Sequence, residues 1–213
     1  RLISNAKINM DEWRFHRYVI SNPTEFTKLE IGFSAFFLNR TNRSGILKAG
    51  VIGGKAQNGK WRMDVRFNRD DLISRIENIA NYNQRIVVTN LDALEFLEAL
   101  NFLDSVDKAD KNKTLLYLDP PYYIKGQGLY RNFYEHDDHV LVMEKLRDIN
   151  FPKWLVSYDN AKEIKDIYSD FPQVEYSLQY TAQQKKSGEE VMIFSPEVVI
   201  PDTLKGVSMK ISA

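Results

Sequence analysis

An acid, two imino acids and an aromatic ring, Asp119-Pro120-Pro121-Tyr122, end a short apolar run from Leu115 to Leu118. The run lacks polar alternation, which predicts a strand buried on both faces of a parallel sheet. Proline carries no backbone N–H, so two in succession end the ladder and set an extended turn. The Asp119 carboxylate and the Pro120 carbonyl are both acceptors only. Two such acceptors suit a substrate amino group with two N–H bonds. They stabilise the positive charge that builds on that nitrogen as it attacks an electrophile. The Tyr122 ring can stack on a planar heterocycle. In open α/β sheets ligands bind at the carboxyl edge of the strands, so the tetrapeptide reads as a pocket for the amine of a base turned out of its helix. The alternative is an ordinary strand-ending turn with a satisfied aspartate.

The elements that position this turn follow from periodicity and punctuation. Met10 to Ile20 has the spacing of an amphipathic helix, and Asn22-Pro23-Thr24 breaks it. A second helix runs from Glu25 to about Leu38, its stripe of Phe26, Leu29, Phe33, Phe36 and Phe37 reading as core. Asp70 to Tyr82 is a third helix, Ile86-Val87-Val88 a short strand, and Leu91 to Leu97 the start of another helix. Asp104 to Lys113 is a charged linker ahead of the central strand. Lys125 to Tyr134, with Gly126 and Gly128, reads as a mobile loop over the site. Its Gly-Gln-Gly is not a dinucleotide fingerprint, since no strand feeds it. Val140 to Ile149 is a helix capped by Asp137 or Asp138. Trp154 to Ser157 is a strand, and Tyr158-Asp159-Asn160 caps a helix reaching Ser169. Tyr176 to Thr181 and Val191 to Phe194 form a closing antiparallel pair, followed by an irregular tail after Pro196.

Charge is concentrated where the total hides it. The chain of 213 residues carries 29 Lys and Arg against 29 Asp and Glu, a net charge of zero. The segment 39–66 holds seven of the cations and one acid, a net of +6 that leaves −6 on the remainder. Five glycines fall in the same segment. Such a loop can place cations on phosphates and amide or guanidinium groups on base edges, or it is a solvated insertion. Arg40, Asn42, Arg43 and Lys55 are the leading candidates for DNA contact, joined by Tyr130 and by Lys185 and Lys186 in the polar turn 183–188. Cysteine is absent, which excludes disulfides, Cys-ligated zinc and thiol chemistry. No apolar run spans a membrane and no signal peptide is recognisable, so a cytoplasmic protein is the expectation.

Asp-Pro-Pro-Tyr after an apolar strand resembles the catalytic motif of amino-methyltransferases acting on DNA bases. Upstream, Phe36-Phe-Leu-Asn-Arg-Thr-Asn-Arg-Ser-Gly45 resembles the Phe-Tyr-Leu-Asn-Arg…Asn-Gly signature of Dam-like (D12 class) adenine-specific DNA methyltransferases, and the order of the two motifs is that of the class. The likeness covers about Phe33 to about Pro196. It implies a three-layer α/β fold with a mostly parallel sheet, of the S-adenosylmethionine-dependent methyltransferase type, carrying a target-recognition insert at 39–66.

It also implies methyl transfer from S-adenosylmethionine to the exocyclic amine of a flipped adenine in a DNA site. Asp119, Pro120, Pro121 and Tyr122 are then catalytic, and Asp92, Ala93 and Asp119 lie at the cofactor. For Asp92 a helix N-terminal acid is an equal reading. The implied partners are double-stranded DNA and either a restriction endonuclease or a separate chain carrying the N-terminal cofactor motif. Complete members carry a Phe-x-Gly-x-Gly turn ahead of this region, whereas Gly32 is the only glycine before Asn39. Residues 1–213 are accordingly expected to be one partial methyltransferase domain that binds the cofactor poorly by itself. The rival expectation is a non-catalytic DNA-binding or partner subunit that keeps the fold. An RNA or cytosine substrate would suit the same motif. His136 and His139, three apart, invite a metal reading, but methyl transfer needs no metal and helix capping by the neighbouring acids is preferred.

Overall fold

The longer helices of the first unit start at side chains that accept the orphan amides of the first turn. The computed structural model describes residues 1–105, 110–124, 133–180, 186–201 and 208–212, which fall into two units, Arg1–Thr89 and Asn90–Ala213. In the first unit Asn9 accepts from the amides of Asp11 and Glu12 and opens α2, Met10–Ser21, after a single turn α1, Leu2–Asn5. Thr27 and Glu30 form a reciprocal capping box on α3, Lys28–Thr41. Asn68 accepts from Asp71 N at the head of α4, Arg69–Ala80.

These helices close on Trp13, Phe37, Leu38, Val51, Met63, Phe67 and Leu72. Phe37 and Leu38 are fully buried, each contributing about 1.5–3 kcal/mol relative to exposure. Phe37 of the predicted stripe enters the core and Phe33 and Phe36 pack against it, whereas Leu29 is 69 % exposed and Phe26 precedes the helix. Buried beside it, His16 shares a 2.8 Å hydrogen bond with Ser34 Oγ and lies 4.3 Å from the Phe37 ring, centroid to centroid.

The basic segment after α3 is a built loop. Asn42 is fully buried. Its Oδ1 accepts from the Trp13 indole at 2.7 Å, and its Nδ2 donates to the carbonyls of Ile46 and Leu47 at 3.0 and 2.9 Å. Arg17 Nη1 donates to the carbonyls of Leu47, Lys48 and Ala49. Further along, Gln57 Nε2 donates to the carbonyls of Ile52 and Gly54 while its Oε1 accepts from Met63 N. Gly53 has φ +78°, and a Cβ there would lie 2.4 Å from the Trp61 carbonyl oxygen, so only glycine fits. Asn42 is thus spent on the fold, a correction to its assignment to DNA: both ends of its amide are taken up by groups of its own unit.

Ile86, Val87 and Val88 do not form the predicted strand. They are 47, 90 and 87 % exposed, and among the described residues their backbone finds no ladder partner, without which a β-rich sequence stays extended and unpaired.

The second unit holds α5, Ala93–Ser105; β1, Leu116–Leu118; α6, His136–Asp148; β2, Trp154–Asp159; α7, Lys162–Ile167; β3, Gln173–Tyr180; β4, Lys186–Phe194; and β5, Ser208–Ser212. The strands form one sheet in the order β1-β2-β4-β3-β5. Only β1 and β2 pair in parallel, and the other three pairings are antiparallel. The fold is α/β, but the described sheet is mixed rather than mostly parallel. Hairpin pairing of β3 with β4, and the return of the tail as β5 against β3, supply the antiparallel half.

Leu116 is buried while Leu115 and Tyr117 are 58 and 59 % exposed. Among the described residues β1 is therefore an edge strand covered on one face, not on both. Strand β2 runs on through Tyr158 and Asp159, where a helix cap was expected, because both residues pair with β4 and are buried. The cap of α6 is a box between Glu135 and Asp138. Val142, Leu146, Val156, Tyr158, Ile164, Tyr168, Val191 and Ile193 form the core. Among the described residues no helix is long and apolar enough to cross a membrane.

Two measurements follow from the buried polar groups. Asn42→Ala leaves an indole N–H and two carbonyls unmet, and is expected to cost about 1–3 kcal/mol in urea unfolding. A loss of DNA affinity with an unchanged midpoint would return this residue to the DNA interface. Burial, the largest cause, holds the pKa of both His16 and His139 below 6.5, with nearby Glu12 opposing at His16, and Asp138 and Asp159 at His139. The unfolded chain thus takes up protons near pH 6.5 that the native chain takes up only at lower pH. Stability is expected to be full above that value and to fall as the pH drops through it. Equal urea midpoints at about pH 7.5 and about pH 5.5 would contradict this.

Candidate functional site

The parallel register of β1 and β2, Leu118 opposite Val156, brings the next residues, Asp119 and Ser157, side by side. Ser157 Oγ donates to Asp119 Oδ1 at 2.9 Å and lies 2.9 Å from the Tyr117 hydroxyl. Asp119 itself is exposed, and among the described residues no cation pairs with it. Pro120 is buried, Pro121 and Tyr122 half-buried. The Pro120 carbonyl accepts no backbone hydrogen bond from the described residues. An exposed carboxylate and, among the described residues, a carbonyl without a hydrogen-bond donor thus follow one another at the carboxyl end of β1.

The chain beyond the prolines is held by side chains from two other strands. Asp159, 4 % exposed at the end of β2, accepts from Tyr123 N at 2.8 Å through Oδ1 and from Ile124 N at 2.9 Å through Oδ2. Tyr122 donates its hydroxyl to Glu190 Oε1 at 3.0 Å, and Tyr176 donates to Oε2 of the same carboxylate at 2.7 Å. Glu190 lies on β4 directly opposite Asp159 on β2 and Tyr176 on β3. The Tyr122 hydroxyl is thereby committed to the fold of this edge. Around the turn, Tyr123 OH lies 3.0 Å from His136 Nδ1, and His139 Nδ1 lies 3.0 Å from Tyr158 OH. The two histidines thus engage different tyrosines, and among the described residues no cluster suited to a metal ion is present.

Asp92 is exposed at the head of α5. Its Oδ1 accepts from Leu94 N, while Glu95 Oε2 accepts from Asp92 N. It therefore acts as the cap that was one of its two readings, with Ala93 beginning the helix. Burial first, then the charges of Asp92 and Asp138, push the Tyr134 phenol pKa up.

In the other unit the basic segment sorts its cations. Arg40 is half-buried and donates through Nε to the Arg66 carbonyl at 3.1 Å. Burial and the neighbouring Arg66 and Arg75 charges pull its pKa down from the ordinary arginine value, though not far enough to discharge it at neutral pH. Arg43 and Lys55 are exposed. So are Lys60 and Arg62, on either side of Trp61, which is 62 % exposed with the Lys60 ammonium 5.4 Å from its ring centroid. Tyr130 and Lys185 lie outside the described residues. Lys186 begins β4, and its side chain lies outside them too.

Sequence reasoning found the turn and missed what holds it. Ser157 and Glu190 carry no role in the sequence reading, and Asp159 reads there as a helix cap. The signals were a serine inside an apolar strand, an acid at that strand's end and an acid opening the closing strand. Trp61 between two cations was also readable and passed over.

No curated protein matches the chain. The model of the family described as D12 class N6 adenine-specific DNA methyltransferase matches residues 9–182. That span takes in both the 36–45 signature and the Asp119–Tyr122 turn, and the chain belongs to this family of DNA adenine methyltransferases.

Proposed function

We propose that Asp119 and the Pro120 carbonyl receive the exocyclic amine of an adenine turned out of duplex DNA, and hold it for methylation. The observation that carries this reading is an exposed, hydrogen-bonded carboxylate followed at the end of β1 by a carbonyl that takes no donor from the described residues. Both are acceptors, so each takes one N–H of the amine. They draw the nitrogen lone pair out of conjugation with the ring and stabilise the positive charge that grows on nitrogen in the transition state. Tyr122, tethered through its hydroxyl, presents its ring for stacking on the base. No side chain need remove a proton beforehand, because the amine becomes acidic only as it is alkylated.

The methyl donor in this reading is S-adenosylmethionine, which when bound supplies an electrophilic methyl carbon. The residues at the head of α5 fit its adenine end. Asp92 is an exposed carboxylate, and a carboxylate accepts from an exocyclic amine.

The 39–66 segment is the proposed target-recognition insert. Arg43, Lys48, Lys55, Lys60 and Arg62 are its exposed cations, suited to phosphates, and Trp61 offers an exposed aromatic face. Arg40 contributes field rather than contact, since part of its guanidinium is spent on the Arg66 carbonyl.

Asp119→Ala is expected to lower the single-turnover rate of methyl transfer by about 10²–10³-fold or more, with DNA affinity retained. Labelled-methyl incorporation and fluorescence anisotropy measure the two, and a wild-type rate would remove Asp119 from the chemistry. Arg43→Ala and Lys55→Ala are each expected to weaken binding to all duplexes alike and to flatten the salt dependence by about one unit of slope. A slope that stays the same in both variants would take the insert off the phosphate backbone.

A further inference from the structure

Tyr117 and Asp119 are two residues apart on one extended segment, so their side chains leave the same face. Ser157 reaches that face from the neighbouring strand and is 4 % exposed. A seryl hydroxyl has a single hydrogen. Here it is given to Asp119 Oδ1 at 2.9 Å. The contact of 2.9 Å between Ser157 Oγ and the Tyr117 hydroxyl must then be donated by the tyrosine. The three groups form a directed chain from Tyr117 to Ser157 to Asp119, in which each donation strengthens the next. Asp119 Oδ2 accepts no hydrogen bond from any described residue.

A carboxylate on an exposed strand end turns freely about two side-chain bonds. Bound through one oxygen to a buried hydroxyl, it keeps the other oxygen in one place. We propose that Ser157 is a positioning residue for methyl transfer, anchored by Tyr117, that fixes Asp119 so that Oδ2 meets the adenine amine. The inference rests on Asp119 receiving that amine. Ser157 touches neither base nor methyl donor and acts through Asp119 alone. A misplaced acceptor weakens stabilisation of the transition state more than it weakens binding of the duplex, because the duplex is held by many other contacts.

The test uses the intact protein with S-adenosylmethionine and duplex DNA, following single-turnover rate, KM for DNA and thermal midpoint. Ser157→Ala is expected to slow methyl transfer by about 10–100-fold, the worth of a hydrogen bond to a charged group, with KM and midpoint unchanged. Ser157→Thr, which keeps the hydroxyl, restores most of the rate. Tyr117→Phe, at an exposed position, causes a smaller loss in the wild-type background and none in the Ser157→Ala background, since its hydroxyl acts only through the serine.

A full rate in Ser157→Ala, or an equal cost of Tyr117→Phe in both backgrounds, overturns the inference. If Ser157→Ala does not fold, an unchanged rate in Tyr117→Phe overturns it. Activity lost in Asp119→Ala but kept in Ser157→Ala removes the inference alone. Activity kept in Asp119→Ala removes the reading beneath it as well.

Discussion

A turn that contains two consecutive prolines cannot hold itself. Pro120 and Pro121 contribute no N–H, so the backbone around them has acceptors in excess and few donors. The donors that remain just downstream, the amides of Tyr123 and Ile124, both go to one carboxylate, Asp159. Placing that carboxylate at 4 % exposure would be costly without partners, and two charge-assisted N–H bonds offset the cost. The geometry of the candidate site depends on this clamp more than on any apolar contact. It ties the segment just after Asp119 and Pro120 to the end of β2.

The mixed sheet explains why the clamp lies where it does. Parallel pairing of β1 with β2 sets their carboxyl ends level, so that Ser157 and Asp159 both fall at the height of the turn. Antiparallel pairing of β2 with β4 then puts Glu190 opposite Asp159, and the same strand puts Glu190 opposite Tyr176. One parallel and two antiparallel registers thus bring polar residues from three strands to one edge of the sheet. Beneath them Val156, Tyr158, Val191 and Ile193 are fully buried. A one-residue slip in either register would exchange the inward and outward sets, burying a different group of side chains and dispersing the clamp. The apolar interior is what makes the register costly to change, and the register is what assembles the polar edge.

This division accounts for what could be read in the sequence. Asp119 to Tyr122 was legible because its chemistry is local: residue type, proline punctuation and a preceding strand all lie within a few positions. Helices α2, α3 and α4 were legible for the same reason, through period and caps. Ser157, Asp159 and Glu190 were not, because their meaning comes from registers between segments far apart in the chain, and each has an ordinary local reading. Asp159 looked like a helix cap because an acid before a helical pattern usually is one. The tail was read as irregular although it returns as β5, a pairing decided by β3 rather than by its own composition. Ile86 to Val88 shows the converse: β-branched residues without a neighbouring strand among the described residues remain extended and exposed.

The 36–45 signature carries a similar lesson about the other unit. Its residues look like a binding motif, yet most of them build the loop that follows. Phe37 and Leu38 fill the core, Asn39 Nδ2 holds the Gly45 carbonyl at 3.1 Å, Thr41 Oγ1 donates to the Phe37 carbonyl, and Asn42 ties three groups together. Arg43 is the member of this set whose charge is turned outward. The +6 of the segment is therefore not a uniform cloud. Some of it is half-buried, as with Arg40, and some is displayed on a loop already locked by Asn42, Arg17 and Gln57. Ordering that loop has been completed during folding, so engagement of a polyanion need not supply the entropy again. Rigid presentation of cations favours a partner whose charges sit at fixed spacing, which is the property of a duplex backbone.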